Sequence, residues 1–440
     1  MTTITQVAQA MQTVLTAVAE KAARVTSFVQ RESKLTGATF CQTLVFGWLA
    51  NPQATLEELA QTAAIVGVEI SPQGLDQRFT RAAADCLKQV LDVTVETVVT
   101  ADAVAVPILQ RFNGVYIQDG STLVLPDALA EVWQGCGGNP GQSAAALKLQ
   151  VRLDMVAGRL SGPYLQNGRA HDRSAALQTA PLPAGSLRLA DLGYWSLEAL
   201  QAMDAADVFW LSRLQAQTAV FDASGRQWDV VRLLEAQASP TVDIPVELGV
   251  NQRLPARLLA VRVPQEVADL RRMRMKDEAR RRGKMVTAAQ LKLADWSTFV
   301  TNVPADRLTL REALVVARVR WQIELIFKLW KSHSRIDEWR SAKPWRILCE
   351  VYAKLIAVVI QHWMFLVGCW AYPNRSLFKA AQTVQKHAWH LASAFNCEER
   401  LTQALTTLQR CLATGCRINK RRTIPHTYQL LLALTDGGLA

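Results

Sequence analysis

Between residues 320 and 331 the chain reads Arg-Trp-Gln-Ile-Glu-Leu-Ile-Phe-Lys-Leu-Trp-Lys. On a helix of 3.6 residues per turn, Arg320, Glu324, Lys328 and Lys331 fall on one narrow face. Trp321, Ile323, Leu325, Ile326, Phe327, Leu329 and Trp330 cover the rest, so the expected helix is buried over most of its surface and shows one charged stripe. A lone carboxylate among three cations suits holding a metal ion while gripping a phosphate. The same spacing also suits plain Glu-to-Lys pairing on a solvated face, worth roughly a few tenths of a kcal/mol. Residues upstream bear on the choice.

Two apolar runs upstream each finish in a carboxylate. Gly114-Val-Tyr-Ile-Gln-Asp119 and Leu187-Arg-Leu-Ala-Asp191 both read as short strands. Cutting a phosphodiester at neutral pH needs charge stabilisation on the attacking and the leaving oxygen. Two divalent ions roughly 3.5–4 Å apart supply it. Carboxylate oxygens suit magnesium, which keeps several waters and takes further ligands from substrate phosphate. Asp119, Asp191 and Glu324, drawn from distant parts of the chain, would together make such a site.

The elements that must position them follow from periodicity. Residues 1–105 read as helical, with alanine, leucine and valine at helical spacing. Within them, a short helix at Thr55, a turn at Gly67 and a Ser71-Pro72 start predict two helices, the second from Gln73 to Phe79. Such a pair fits a helix-turn-helix or an ordinary helical hairpin. Strand signals begin near residue 114. Ala146 to Val156 alternates, with Leu149, Val151, Leu153 and Met155 on one face and Lys148, Gln150, Arg152 and Asp154 on the other. Arg159 to Asn167 is expected to return as its hairpin partner, and the glycine-rich loop 134–141 lacks the lysine of a phosphate-binding loop. The expectation is an α/β fold with a mixed sheet at 106–206 and 306–375, interrupted by a β-rich insertion at 207–305. A helical region at 376–440 closes the chain.

Composition narrows the partners. The 440 residues carry a formal net charge of +11, which suits a polyanion such as nucleic acid. No leader is evident in Met1-Thr-Thr-Ile-Thr-Gln, and no CxxC pair occurs among the eight cysteines, so reduced thiols in a cytoplasmic protein are expected. His387, His390 and Cys397 lack the second ligand pair of a zinc site. Leu355 to Tyr372 is uncharged and nearly long enough to span a bilayer, but Gln361 and His362 interrupt it, and Glu350 and Lys354 precede it by one turn. A buried helix packed on a sheet is expected there, with no membrane.

The three carboxylates sit in stretches that resemble a known family. Asp119-Gly-Ser-Thr-Leu, Ala190-Asp191-Leu-Gly-Tyr and Arg320-Trp-Gln-Ile-Glu324 through Lys331 are similar to the motifs of DDE transposases of insertion-sequence family four, the bacterial cut-and-paste type. The third follows a Tyr-x2-Arg-x3-Glu-x6-Lys signature except that Ala317 stands at the tyrosine position. The resemblance runs from about residue 35 to 375. It implies a ribonuclease-H-like core in which Asp119, Asp191 and Glu324 bind two Mg2+ ions, with Mn2+ as a substitute. Arg320, Lys328 and Lys331 would contact phosphates. The implied reaction frees a 3′ hydroxyl at the element's end, which then attacks target DNA, with double-stranded DNA as partner and a homodimer holding paired ends. A nucleoid-associated location goes with it.

In family members that pass through a DNA hairpin, a tryptophan of the inserted region stacks on a flipped base. Trp296 is the nearest counterpart, against the alternative of a core tryptophan. The block Arg271, Arg272, Arg274, Lys276, Arg280, Arg281, Arg282 and Lys284 points to phosphate contacts that raise affinity without reading sequence. Asp154 is expected to be solvated or paired, and Asp172, beside His171, is a weaker candidate. Two other readings stand beside an active transposase: another two-metal nuclease of the same fold, and a catalytically inactive transposase-derived DNA-binding protein. Ala317 is the hint for the inactive form, and the intact carboxylates argue against it.

Overall fold

The first helices are α1 (Thr3–Thr13), α2 (Ala19–Val25), α3 (Gly37–Ala50), α4 (Leu56–Ile65), α5 (Pro72–Asp76) and α6 (Arg81–Glu96). Hydroxyl side chains set the starts of α3 to α6. Thr36 and Thr55 form reciprocal capping boxes, and Ser71 and Thr80 cap α5 and α6. The computed structural model describes residues 3–31, 33–137, 143–281, 283–419, 423 and 425–434. Gly67 makes the turn between α4 and α5 at φ +94°, a conformation that favours glycine. The expected pair of short helices is therefore present, but α5 stops at Asp76 rather than Phe79. Asp76 there pairs with Lys343 at 2.6 Å and Arg346 at 3.0 Å.

The remaining helices are α7 (Ala176–Thr179), α8 (Leu197–Ala205), α9 (Val230–Glu235), α10 (Gln265–Arg281), α11 (Ala288–Leu293), α12 (Leu310–Val316), α13 (Trp321–Ser332), α14 (Pro344–Gly368), α15 (Leu377–Ala394), α16 (Glu398–Gly415) and α17 (Thr427–Ala433). The strands are β1 (Val115–Leu125), β2 (Ala145–Asp154), β3 (Leu160–Asn167), β4 (Leu187–Ala190), β5 (Phe209–Arg213), β6 (Val220–Phe221), β7 (Gln227–Trp228), β8 (Thr241–Leu248), β9 (Leu254–Arg262) and β10 (Trp296–Thr301). They fall into two compact units. The first unit gathers residues 1–110, 119–171 and 321–440, and the second 111–118 and 172–320.

In the first unit α14 is the central element. Its apolar stretch is long enough to cross a membrane, yet it is wholly buried inside the protein. The neighbours that cover it are mainly helices, α1, α3, α6, α15 and α16, with a smaller contribution from β3, rather than the sheet expected from the sequence. A buried ion pair lies within it, Lys354 Nζ to Glu350 Oε1 at 2.8 Å. Lys354 also donates to the carbonyls of Arg335 (3.1 Å) and Glu338 (2.8 Å), tying down the segment that follows α13. Burial lowers the Lys354 ammonium from its ordinary range, against the pull of Glu350. His362, wholly buried, is pushed down to about 4 by desolvation and bonds through Nε2 to the Gly158 carbonyl at 2.7 Å. The hairpin of β2 and β3 forms as expected, in the strand order β3-β2-β1. The expected polar face of β2 is a departure: Gln150, Arg152 and Asp154 are all buried. Asp154 Oδ1 accepts the Val156 N–H at 2.8 Å, closing the turn after the strand.

In the second unit the strand order is β1-β4-β5-β10-β9-β8-β6-β7. β1, β4 and β5 are parallel, and the later strands pair antiparallel, which makes the mixed sheet expected of the α/β region. The β-rich insertion therefore continues beside β5 through β10, and it also carries α9, α10 and α11. Its core centres on Trp195, Trp210, Leu233, Leu248, Leu258 and Val300.

Candidate active site

Strand β1 runs through Asp119 to Leu125 rather than ending at the aspartate, because Leu123 and Leu125 continue the buried alternation. Asp119 is half-buried, and its Oδ1 accepts the N–H of Gly120 at 2.8 Å. In the second unit β1 and β4 are in parallel register, with Gln118 opposite Ala190. The residues that follow these two in sequence are Asp119 and Asp191. Asp191 is exposed and begins the turn Leu192–Tyr194 with extended backbone, and its carboxylate does not cap that turn.

The expected helix from Thr309 to Lys331 is interrupted. It comprises α12, a 3-10 turn at Ala317–Arg320, and α13. Thr309 and Glu312 form a capping box at the start of α12, and Arg111 pairs with Glu312 at 2.8 Å. Burial pushes Glu312 up, but hydrogen bonds from Arg111 and Thr309 outweigh it and hold the carboxyl below its usual range. Arg320 is half-buried at the end of the 3-10 turn.

Along α13, Ile323, Ile326, Phe327, Leu329 and Trp330 face the core. Lys328 is exposed, and Glu324 and Lys331 are half-buried. At about 100° per residue, Glu324 and Lys331 stand only about 20° apart at the border of the core face. Lys331 Nζ donates to the carbonyl of Thr122 at 3.1 Å, which fastens the glutamate helix to β1 three residues beyond Asp119. One expectation about α13 fails. Trp321 (53% exposed) and Leu325 (43% exposed) belong to the solvent face beside Glu324 and not to the buried wrap. Sequence reading missed them, although the i, i+3, i+4, i+7 stripe at Ile323, Ile326, Phe327 and Trp330 marks the core side without them.

Trp296 is corrected. Only 6% of it is exposed, and it packs with Leu234, Val242 and Ala260, with the Arg262 guanidinium 5.5 Å from the ring centre. A ring so enclosed is not available for stacking on a base.

The basic block divides. Arg271 donates to the Trp296 carbonyl at 3.0 Å and to Ser297 Oγ at 2.8 Å, and burial lowers its pKa, helped by Arg213. Arg272 bonds Asp269, Asp295 and the Leu291 carbonyl. These two arginines hold α10 to its neighbours in place of the phosphate contacts expected. Arg274, Lys276, Arg280, Arg281 and Lys284 are exposed, with Arg280 paired to Asp277 at 2.9 Å. Arg282 lies outside the described residues, as do Lys420, Arg421, Arg422 and the loop residues 138–141.

The candidate acids supply only oxygen donors, the set a hard divalent cation takes. Among the described residues no group of three or more His, Cys, Asp or Glu side chains forms a ready-made metal cage, at His387 and His390 included. An ion held by few carboxylates completes its shell with water and substrate phosphate.

Comparison with known proteins adds to this geometry. Residues 110–360 match the family described as "Transposase DDE domain". The transposase for insertion sequence element IS231F of Bacillus thuringiensis subsp. israelensis is 26% identical over 91% of this chain and 89% of its own length. That for IS231C of Bacillus thuringiensis subsp. berliner is 27% identical over 93% and 90%, respectively. The transposase for IS1151 of Clostridium perfringens is 24% identical over 77% and 76%. With a match that takes in more than half of its length and spans the strand bearing Asp119, the turn begun by Asp191 and the helix bearing Glu324, the chain belongs to the DDE transposases, the DNA-transposing enzymes of insertion sequences.

Proposed function

We propose that this protein cuts DNA at the terminal inverted repeats of its own insertion sequence and joins the freed 3′ ends to target DNA. The observation that carries the proposal is the parallel register of Gln118 with Ala190, which leads directly into Asp119 and Asp191. The bond from Lys331 to Thr122 supports it by tying the helix of Glu324 to the strand of Asp119. In this reading the core is ribonuclease-H-like and the chain is of insertion-sequence family four, which the spacing of Arg320, Glu324 and Lys331 supports.

Asp119, Asp191 and Glu324 would hold two Mg2+ ions, for which Mn2+ can substitute. When bound, these ions stabilise charge on the attacking and leaving oxygens of a phosphodiester. Arg320 and Lys328 neutralise the phosphates flanking the scissile bond, and Lys331 adds charge while anchoring α13. In the first step water attacks phosphorus and the 3′ oxygen leaves, giving a 3′ hydroxyl and a 5′ phosphate. In the second, that hydroxyl attacks a target phosphate and displaces a target 3′ oxygen. Arg274, Lys276, Arg280, Arg281, Arg282 and Lys284 contribute sequence-independent DNA affinity.

Residues 1–105 take part in DNA binding. Residues 376–440 support a homodimer on paired ends, a role suited to the exposed Phe378 and Trp389 of α15. A cytoplasmic, nucleoid-associated location accompanies this reading. The test is incubation with Mg2+ and linear DNA carrying the terminal repeats, beside Asp119→Ala, Asp191→Ala and Glu324→Ala. Cleavage at the repeat ends that disappears in each variant is expected. A variant that cuts like the parent removes its residue from the site, and a parent that binds the repeats without cutting in Mg2+ or Mn2+ overturns the catalytic reading.

A further inference from the structure

The turn that presents Asp191 is clasped from inside the second unit by one side chain. Gln178 is 6% exposed and belongs to the short helix α7. Its Oε1 accepts from Arg188 Nη2 at 2.5 Å, and its Nε2 donates to the Tyr194 carbonyl at 3.0 Å. Arg188 lies three residues before Asp191 and Tyr194 three residues after it, and both are buried, at 3% and 2% exposure. A guanidinium only donates and a backbone carbonyl only accepts, so the amide has one possible orientation here. The same segment approaches the turn a second time: a Cβ added at Gly193 would stand 3.4 Å from Asp172 Oδ2. Arg188 of β4 and the turn behind the strand are thus joined through the Gln178 amide, with Asp191 between the two tied points.

We propose that Gln178 is a positioning residue for Asp191, fixing the direction in which that carboxylate meets a divalent cation. The proposal rests on Asp191 being a metal ligand, the reading given above. Groups that orient a ligand from behind typically change metal affinity tenfold to a hundredfold when altered.

The experiment compares full-length wild type with Gln178→Glu, Gln178→Met and Asp191→Ala, each bound to DNA carrying precleaved terminal repeats. Mn2+ is titrated in and the free ion is followed by electron paramagnetic resonance. Cleavage of uncut ends is measured in parallel as Mn2+ rises. Gln178→Glu keeps an acceptor for Arg188 and loses the donor to Tyr194, so it removes half of the clasp without stranding the guanidinium. We expect Mn2+ affinity to fall about tenfold in this variant, DNA affinity to stay unchanged, and cleavage to recover at high Mn2+. Gln178→Met should weaken Mn2+ binding further. If it does not fold, Gln178→Glu alone decides. Mn2+ binding by Gln178→Glu equal to wild type, or a slowed cleavage that no Mn2+ concentration restores, overturns the proposal. The control separates the two levels: Asp191→Ala that still binds Mn2+ fully and cuts refutes the site itself, whereas an inert Asp191→Ala beside a normal Gln178→Glu refutes only the clasp.

Discussion

In α10 the first two arginines turn inward, Arg271 to the Trp296 carbonyl and Ser297, and Arg272 to Asp269, Asp295 and Leu291. Its later cations, Arg274, Lys276, Arg280 and Arg281, face solvent. In α13 the order of duties is reversed. Glu324 and the exposed Lys328 precede Lys331, and it is the last of these that reaches a backbone carbonyl. Both helices read in the sequence as rows of charges ready for phosphate. The difference teaches that cation density marks a polyanion-facing region only after the cations committed to the protein's own carbonyls and carboxylates are subtracted. In the proposed site one lysine, Lys331, would serve as anchor and as source of positive potential together.

Substitutions sharpen or break this contrast, beginning with the largest effect. Glu324→Ala should lower cleavage by on the order of 10³-fold or more while DNA binding persists, measured by strand scission and by electrophoretic mobility. Equal cleavage would make α13 a charged surface helix and no more. Lys328→Ala should slow cleavage roughly 10- to 100-fold, the worth of one charge-assisted phosphate contact, and leave the unfolding temperature unchanged. Lys331→Ala should do the same and lower the unfolding temperature as well, because Thr122 loses its donor; a variant as stable as the parent would deny the anchoring role. Arg271→Ala should cost about 1–2 kcal/mol of stability with no change in the salt dependence of DNA binding. The converse belongs to Arg280→Ala and Arg281→Ala, which should leave unfolding alone and reduce the slope of log affinity against log salt by roughly 0.9 for each phosphate left without its cation. A slope unmoved by either would take α10 out of the DNA interface.

Much of the frame was legible because local patterns carried it. The apolar runs before Asp119 and Asp191 became β1 and β4, and the alternation from Ala146 to Val156 became β2 (Ala145–Asp154) with β3 as its hairpin partner. The run Gly114 to Asp119 reads as a strand that finishes at the aspartate, and the continuation of β1 shows only in the alternation of Leu123 and Leu125. Trp296 could not be placed because its enclosure depends on Leu234, Val242 and Ala260, far away in the chain. Arg272 meets Asp295, 23 residues later, a pairing that no local spacing encodes. Gln178 left no trace, since a single glutamine in a four-residue helix has no periodic signature, and its role exists only through Arg188 and Tyr194. The candidate carboxylates stand out in the sequence by their chemistry, but the turn that carries Asp191 does not.

The position of α14 has a consequence for how the chain is made. Its cover is drawn from both ends of the sequence, α3 and α6 on the one hand and α15 and α16 on the other. Translation finishes α14 at Gly368 and α16 only at Gly415. At a synthesis speed on the order of 5–20 residues per second, several seconds pass in which a rod apolar enough for a bilayer has cover from its amino-terminal neighbours alone. A nascent chain stalled or truncated in that interval would present this rod to chaperones, to membranes or to another unfinished copy. Deleting the first hundred residues would strip the opposite flank for good, so the amino-terminal helices are half of a sheath as well as a proposed DNA-binding region.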